Sequence, residues 1–382
     1  MADKLTIKSP EGEMFQIKEG EALKDNLNRD TLRKSALIIQ SVYNSFPVEE
    51  FLDSTLDETW DKLELKARGR QITINLKKYL PVDYKEALVI FDQVVANYSS
   101  GIFLLGFSFP DFVELYGQDE AHWDLSMSAL EKYTIYWSSE FAVRPFIINC
   151  EERMMAQMYA WSKHENEHVR RLASEGCRPQ LPWGQALAGF KRDPSPILPI
   201  LEQLKNDPSP YVRKSVANNL NDISKTHPDL IAKLAKDWYG KNEHTDWVVK
   251  HACRTLLKKG NRDVLALFGY HDTVSVDVSA FALGAKSVLI GEDMTFSFSI
   301  SAKEATKVRL EYGIDYVKSK GKRNRKIFQI SEVSLKEKAR KTYSKKHSFA
   351  DVSTRKHYPG MHSITLIVNG MERGTLDFEV GV

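Results

Sequence analysis

The sequence predicts an all-α solenoid of stacked helix pairs followed by an all-β sandwich, and three observations carry that expectation. A valine that opens a basic helix after a polar turn stands at positions 169, 212 and 248, so one unit recurs at intervals of 43 and 36 residues. A period of that length marks a repeat architecture in which each helix pair buries its apolar face against the next. After Gly269 the apolar residues stop recurring at helical spacing and begin to alternate. With 382 residues the chain is long enough for two or three domains. The division falls between a helical domain, residues 1–268, and a β domain, residues 269–382.

Residues 1–20 alternate weakly through Leu5, Ile7, Met14, Phe15 and Ile17 and read as a small strand pair or a loose arm. Leu32, Ala36, Ile39, Val42 and Tyr43 then repeat at helical spacing until Phe46-Pro47 ends the helix. Helices are predicted at 48–54, at 57–80 with a break at Gly69, and at 84–98, followed by a short one at 111–117. From His122 to Tyr136 the residues Trp123, Met127, Leu130 and Tyr133 share a face.

In the repeat, first helices fit Glu151–Lys163, Ile197–Lys205 and Pro228–Tyr239, and second helices fit Val169–Ser174, Val212–Ile223 and Val248–Lys258. Helix pairs at this period define a HEAT-like-repeat solenoid with a concave face. The second helices carry Arg170, Arg171, Arg213, Lys214, Lys250 and Arg254, so a basic inner surface suited to a duplex backbone is expected. Beyond Gly269, segments at 274–280, 294–302, 307–312, 326–333, 341–351, 362–368 and 375–380 read as strands, with Asn369-Gly370 as a turn. Some seven short strands in this length suggest an immunoglobulin-like sandwich, without the inter-sheet disulfide, since no cysteine lies there.

Composition is that of an ordinary globular protein: 42% hydrophobic, 27% charged, formal net charge +3. Charge is unevenly spread. Between Lys318 and Lys346 twelve Lys and Arg face only Glu332 and Glu337, which suits a polyanionic partner and equally a solvated loop. Three separated cysteines, Cys150, Cys177 and Cys253, argue for a reducing compartment over a disulfide framework. The N-terminal residues hold no apolar run of signal-peptide or membrane-spanning length, so the cytoplasm is the default expectation.

His164-Glu165-Asn166-Glu167-His168 matches the zinc-protease pattern H-E-x-x-H, which requires both histidines on one face of a continuous helix. Alignment of the repeat on Val169, Val212 and Val248 instead puts His164–Glu167 in the polar turn, so a solvated turn is the stronger reading. Downstream, Glu175 stands at a helix end before Gly176, where a carboxylate is disfavoured. Arg178 and Trp183, the latter between Pro182 and Gly184, follow in a loop too rich in Arg, Trp and Pro for a bland connector. That loop is read as one wall of a binding site.

Four segments carry a family resemblance: Trp137–Phe146 (WSSEFAVRPF), His168–Gly176 (HVRRLASEG) with Arg178-Pro179, Leu181–Gly184 (LPWG), and Val212–Asp222 (VRKSVANNLND). They resemble the AlkC family of bacterial DNA glycosylases, built from HEAT-like repeats and more distantly related to the AlkD family. The likeness covers roughly residues 20–260, and some members carry a C-terminal immunoglobulin-like domain. The resemblance implies excision of N3-methylated bases, 3-methylcytosine and 3-methyladenine with 1-methyladenine as a further candidate, without full base flipping. It further implies that Glu140, Glu175 and Asp222 are the active-site carboxylates, with Trp183 the aromatic beside them. No metal or cofactor is expected, and the partner is double-stranded DNA bound by a monomer.

Elementary chemistry suits those residues. Methylation at N3 makes the base cationic and weakens the glycosidic bond, so the base departs without a strong general acid. The sugar then takes on oxocarbenium character, which nearby carboxylates stabilise while positioning water. Paired carboxylates serve the same sugar cation in glycoside hydrolases. An indole face attracts a cation by roughly 0.5–2 kcal/mol. Lys163, Arg170, Arg171, Arg178, Arg213 and Lys214 are the candidate phosphate contacts; Arg170 and Arg171 are adjacent, so one of them is expected to reach DNA and the other to pair within the repeat. Two other readings stay open: Glu140 and Arg144 as a helical surface pair, and the whole chain as a non-catalytic scaffold for DNA or a protein.

Overall fold

The computed structural model describes residues 6–8, 14–16, 22–98, 103–271, 275–352 and 355–382. Leu5, Ile17 and Val274, read above as strand residues, lie outside the described residues. The chain packs as two compact units, residues 1–226 with 242–248, and residues 227–241 with 249–382, each described by itself.

In the first unit Thr6–Lys8 pairs antiparallel with Met14–Gln16, and helices follow. Arg29–Val42 starts on Asn28, whose side chain accepts from the Thr31 amide in a capping box. Gly69 does not break its helix, which runs without interruption over Leu65–Tyr79. The glycine serves packing instead: a Cβ there would lie 2.3 Å from the ring of Phe107. The repeat begins with Glu151–Trp161 and Glu167–Glu175, then Leu198–Leu204 and Pro210–Ile223. Each second helix is launched from a polar turn by an Asn or Asp side chain, with Asn166 accepting from the His168 amide at 2.8 Å and Asp207 from the Ser209 amide at 2.8 Å. Val169 and Val212 are fully buried, each stabilising the stack by about 1.5–3 kcal/mol relative to exposure. The helices Glu167–Glu175 and Pro210–Ile223 pack side by side, which brings the residues of the candidate site together.

The second unit holds helix Pro228–Trp238, short helices Arg254–Lys258 and Arg262–Leu267, and a β-sandwich. The expected second helix at 248–258 is interrupted: one helix runs Glu243–Ala252, Cys253 intervenes, and another begins at Arg254. Five strands form one sheet in the order Ser287–Leu289, Met371–Gly381, Gly360–Val368, Thr306–Val317, Arg323–Leu335. Three form the other, in the order Val276–Leu283, Asp293–Ala302, Arg340–Ser348. Phe296, Phe298, Ile300, Leu310, Ile314 and Leu366 fill the space between them. Asn369 and Gly370 have φ of 46° and 76°, the backbone of a tight hairpin turn. The basic block is not a loop. Most of it lies on Arg323–Leu335 and Arg340–Ser348, the last strands of the two sheets, where exposed cations also discourage edge-to-edge pairing.

The sandwich core contains a buried histidine, His347, 5% exposed, between the hydroxyls of Tyr312 (Nδ1, 2.9 Å) and Tyr316 (Nε2, 2.6 Å). Burial, reinforced by Arg355 and His357 and opposed by Asp293, lowers its pKa to about 4. Burial also lowers those of His357 and His362. A histidine whose folded pKa lies below its unfolded value near 6.5 contributes stability that is full above that value and lost as pH falls. Denaturation of the full chain monitored at pH 7 and pH 5 should therefore show the sandwich weakened at pH 5 by about 2 kcal/mol from His347 alone. His347→Gln should flatten that dependence; an unchanged profile would contradict it.

Candidate active site

The site is built on a turn between the helix ending at Glu175 and residue 187. Arg144, which sequence spacing offered as a surface partner of Glu140, is 1% exposed and clasps this turn. Its guanidinium donates to three main-chain carbonyls: Gly176 at 2.9 Å, Arg178 at 3.0 Å and Gln185 at 2.5 Å. Burial lowers its pKa to about 10. A Cβ on Gly184 would come within 3.3 Å of Arg144 Nε and 3.2 Å of Leu181 Cδ2, so the glycine lets the loop close on the clasp.

On this frame the three predicted carboxylates join through two arginines. Arg171 pairs with Glu140 through Nη1 and lies 3.6 Å from Glu175 through Nη2. Arg178 donates to Glu175 Oε1 at 2.6 Å and to Asp222 Oδ2 at 2.8 Å. Ser215 donates to the second Glu175 oxygen at 2.6 Å, and Lys225 to Asp222 Oδ1 at 2.7 Å. The result is an alternating row, Glu140–Arg171–Glu175–Arg178–Asp222. It answers the awkward placement of an acid at a helix C-terminus, because two guanidinium groups and a hydroxyl replace the lost hydration. Side-chain exposure falls along the row from 15% at Glu140 to 8% at Glu175 and 2% at Asp222. Burial alone would lower the pKa of Arg171, but Glu140, Tyr211 and Glu175 outweigh it and the net shift is upward.

The phosphate-contact expectations divide. Arg178 is buried and committed to Glu175 and Asp222, so it faces the carboxylates and not solvent. Arg171 is taken up by Glu140 and Glu175. Arg170 pairs with both oxygens of Asp207 and donates back to the carbonyls of His164 and Glu165. Arg213 repeats that turn-back, donating to the carbonyls of Asp207 and Pro208. Both adjacent arginines are thus engaged within the protein, and the residue after the repeat valine ties down the turn before it. Lys250 pairs with Glu332 at 2.5 Å. Lys163, its ammonium 4.1 Å from the Tyr159 ring centroid, and Lys214 stay exposed.

The H-E-x-x-H pattern does not place two histidines on a helix. His164 lies in the turn, its Nδ1 accepting from the Asn166 amide, and the helix starts at Glu167. Among the described residues no group of three His, Cys, Asp or Glu side chains is arranged to hold a metal.

Trp183 is displayed to solvent, 77% exposed, with φ at 63°. For a non-glycine residue that backbone costs roughly 1–3 kcal/mol and is retained where function needs it. Its carbonyl accepts from Lys66 Nζ at 2.8 Å. Beside it opens a cavity of about 640 Å³ whose lining includes Ser138, two residues before Glu140, Phe141, the residue after it, and Tyr211, whose ring lies 5.2 Å from the Arg171 guanidinium. The sequence reading missed Arg144, Ser215, Tyr211 and this cavity. For Ser215 a signal existed, since it sits one helical turn beyond the repeat valine on the face turned to Glu175.

Comparison with known proteins agrees with this architecture. The model for the DNA alkylation repair enzyme family matches residues 129–256, and the one described as "Uncharacterised protein YhaZ, C-terminal Ig-like domain" matches residues 277–382. The chain belongs to the AlkC family of DNA alkylation repair glycosylases, a helical repeat domain followed by an immunoglobulin-like domain. Among relatives, "Uncharacterized protein YhaZ" of Bacillus subtilis (strain 168) is 49% identical over 358 residues, spanning 94% of this chain and 99% of that one. Among solved structures, the Pseudomonas fluorescens alkylpurine DNA glycosylase AlkC, bound to DNA containing an abasic site analog, is 36% identical. It matches with a TM-score of 0.89 over 95% of this chain and all of its own.

Proposed function

We propose that this protein excises cationic N3-methylated bases, 3-methylcytosine and 3-methyladenine with 1-methyladenine as a further substrate, from double-stranded DNA, by hydrolysis alone and without a metal or cofactor. The observation that carries the reading is the carboxylate–guanidinium row beside an exposed indole. When the bond between C1′ and the base nitrogen breaks, its electron pair stays on the base and neutralises it, and positive charge passes to the sugar. Glu140, the most accessible acid of the row, meets that charge and takes the proton from the attacking water. Glu175 and Asp222, deeper and held by Arg178, keep the field negative behind it. The arginines hold the acids in place without moving during the reaction, which is the preorganisation such catalysis needs. Trp183 offers its face to the cationic base or sugar.

Base release from oligonucleotides carrying each lesion, measured for wild type and for Glu140→Gln, tests the reading. Release by wild type and a loss of at least about 100-fold in the variant are expected. Absence of release from every lesion would favour the non-catalytic scaffold. The similarity to a DNA-bound glycosylase supports DNA as partner, with Lys163 and Lys214 as phosphate contacts and the exposed cations of Arg323–Leu335 and Arg340–Ser348 adding affinity. Lys163→Ala and Lys214→Ala should each weaken binding alike across sequences and reduce the salt slope by about one. Lys341→Ala should do the same, and unchanged slopes would remove these residues from the interface. The reaction belongs in the cytoplasm, with the protein acting as a monomer.

A further inference from the structure

Leu181-Pro182-Trp183-Gly184 is a tight turn in which the Gly184 amide donates to the Leu181 carbonyl at 3.1 Å. Proline fixes φ at the second position, and Trp183 has φ of 63° at the third, the pattern of a type II turn. Glycine or asparagine ordinarily takes that third place, because a larger side chain is strained there. The turn borders an open cavity and the indole is 77% exposed, so burial of the ring does not hold Trp183 in this backbone. The Arg144 clasp takes the carbonyls of Gly176, Arg178 and Gln185, on either side of the turn, and leaves the Trp183 carbonyl to another donor.

That donor is Lys66. Its ammonium donates to the Trp183 carbonyl at 2.8 Å and lies 4.2 Å from the centroid of the Phe141 ring. Lys66 stands in the first turn of the helix Leu65–Tyr79, which holds no acid there, and the helix dipole opposes a cation at that end. Its own helix therefore gives no reason for the charge. Phe141 follows Glu140 directly in the chain, so one ammonium joins the neighbour of the most accessible acid to the backbone of the indole residue. We infer that Lys66 is a positioning residue of the active site, fixing the strained Trp183 turn and with it the place of the indole relative to Glu140. The inference rests on the glycosylase reading, in which those two groups meet the same developing cation. A carbonyl and a ring face each attract an ammonium. Either alone is a weak tether for an exposed side chain, and together they set its direction. Lys66 acts through Trp183 and touches neither base nor sugar.

Lys66→Met keeps the length of the side chain and its contact with Phe141 while removing the charge and the donor. The residue is exposed, so the variant should fold. In the full chain labelled with 5-fluorotryptophan, the Trp183 resonance is assigned by its loss in Trp183→Phe. That resonance should shift or broaden in Lys66→Met, while those of the buried Trp123 and Trp161 hold their positions. Single-turnover release of 3-methylcytosine at saturating enzyme should fall by about tenfold, within the cost of misplacing a group beside the reacting centre. Affinity for undamaged DNA and its salt dependence should not change. In a Trp183→Ala background the same substitution should cost less than about twofold, because the residue through which Lys66 acts is gone. An unmoved Trp183 resonance, an unchanged rate, or a full loss of rate that persists without the indole overturns the inference. So does weaker binding of undamaged DNA with a salt slope reduced by about one, which makes Lys66 a phosphate contact. A wild type that releases no base from any lesion refutes the glycosylase reading, and the fluorine resonance still reads the link between Lys66 and the Trp183 turn.

Discussion

Glu175→Gln is expected to lower single-turnover release of 3-methylcytosine from duplex DNA by about 100–1,000-fold, the scale on which a single preorganised electrostatic group acts. The substitution keeps the shape of the side chain and removes its charge. The amide oxygen can still accept from Ser215, which now donates to Glu175 at 2.6 Å, and Arg178 retains Asp222 at 2.8 Å. What is lost is the central negative charge of a row whose other members are Glu140 and Asp222. The guanidinium groups of Arg171 and Arg178 then face one acid each, and the field at the sugar turns from negative towards neutral. Circular dichroism and thermal unfolding should show a folded chain, so loss of activity reports chemistry. Wild-type release by this variant would remove Glu175 from the catalytic group.

The sequence spoke clearly wherever one residue type answers one local demand. Val169, Val212 and Val248 mark helices that must bury the same side, and the motif around Asn369-Gly370 needs a backbone that few other pairs adopt. Glu175 could be singled out because an acid at a helix C-terminus conflicts with the local field. The roles of the arginines were not legible in the same way. Arg170, Arg171 and Arg178 look alike as letters, yet Arg170 closes a turn while Arg171 and Arg178 bridge acids from different segments of the chain. Each also pairs with a side chain 31 to 44 residues away, a distance over which spacing gives no guidance. Gly69 was misread for a related reason: a helical glycine can mark a break or the close approach of a ring, and only the position of Phe107 decides.

Arg144 presents the larger structural effect. Arg144→Met fills much of the same volume and removes all of the donors, leaving the carbonyls of Gly176, Arg178 and Gln185 without their partner in a region where Arg144 is 1% exposed. An orphaned buried carbonyl costs about 1–3 kcal/mol, so the full chain should lose about 3–5 kcal/mol in urea denaturation of the helical unit. Arg144→Lys cannot reproduce the planar fork and should recover only part of that loss. The consequence reaches the chemistry because the same three carbonyls bracket Glu175, Arg178 and the Trp183 loop. Under conditions where Arg144→Met remains folded, base release should therefore fall further than its affinity for undamaged DNA does, a split that a general loss of packing would not produce. Stability within about 0.5 kcal/mol of wild type, or an equal loss of binding and turnover, would show that the turn holds its shape without the clasp.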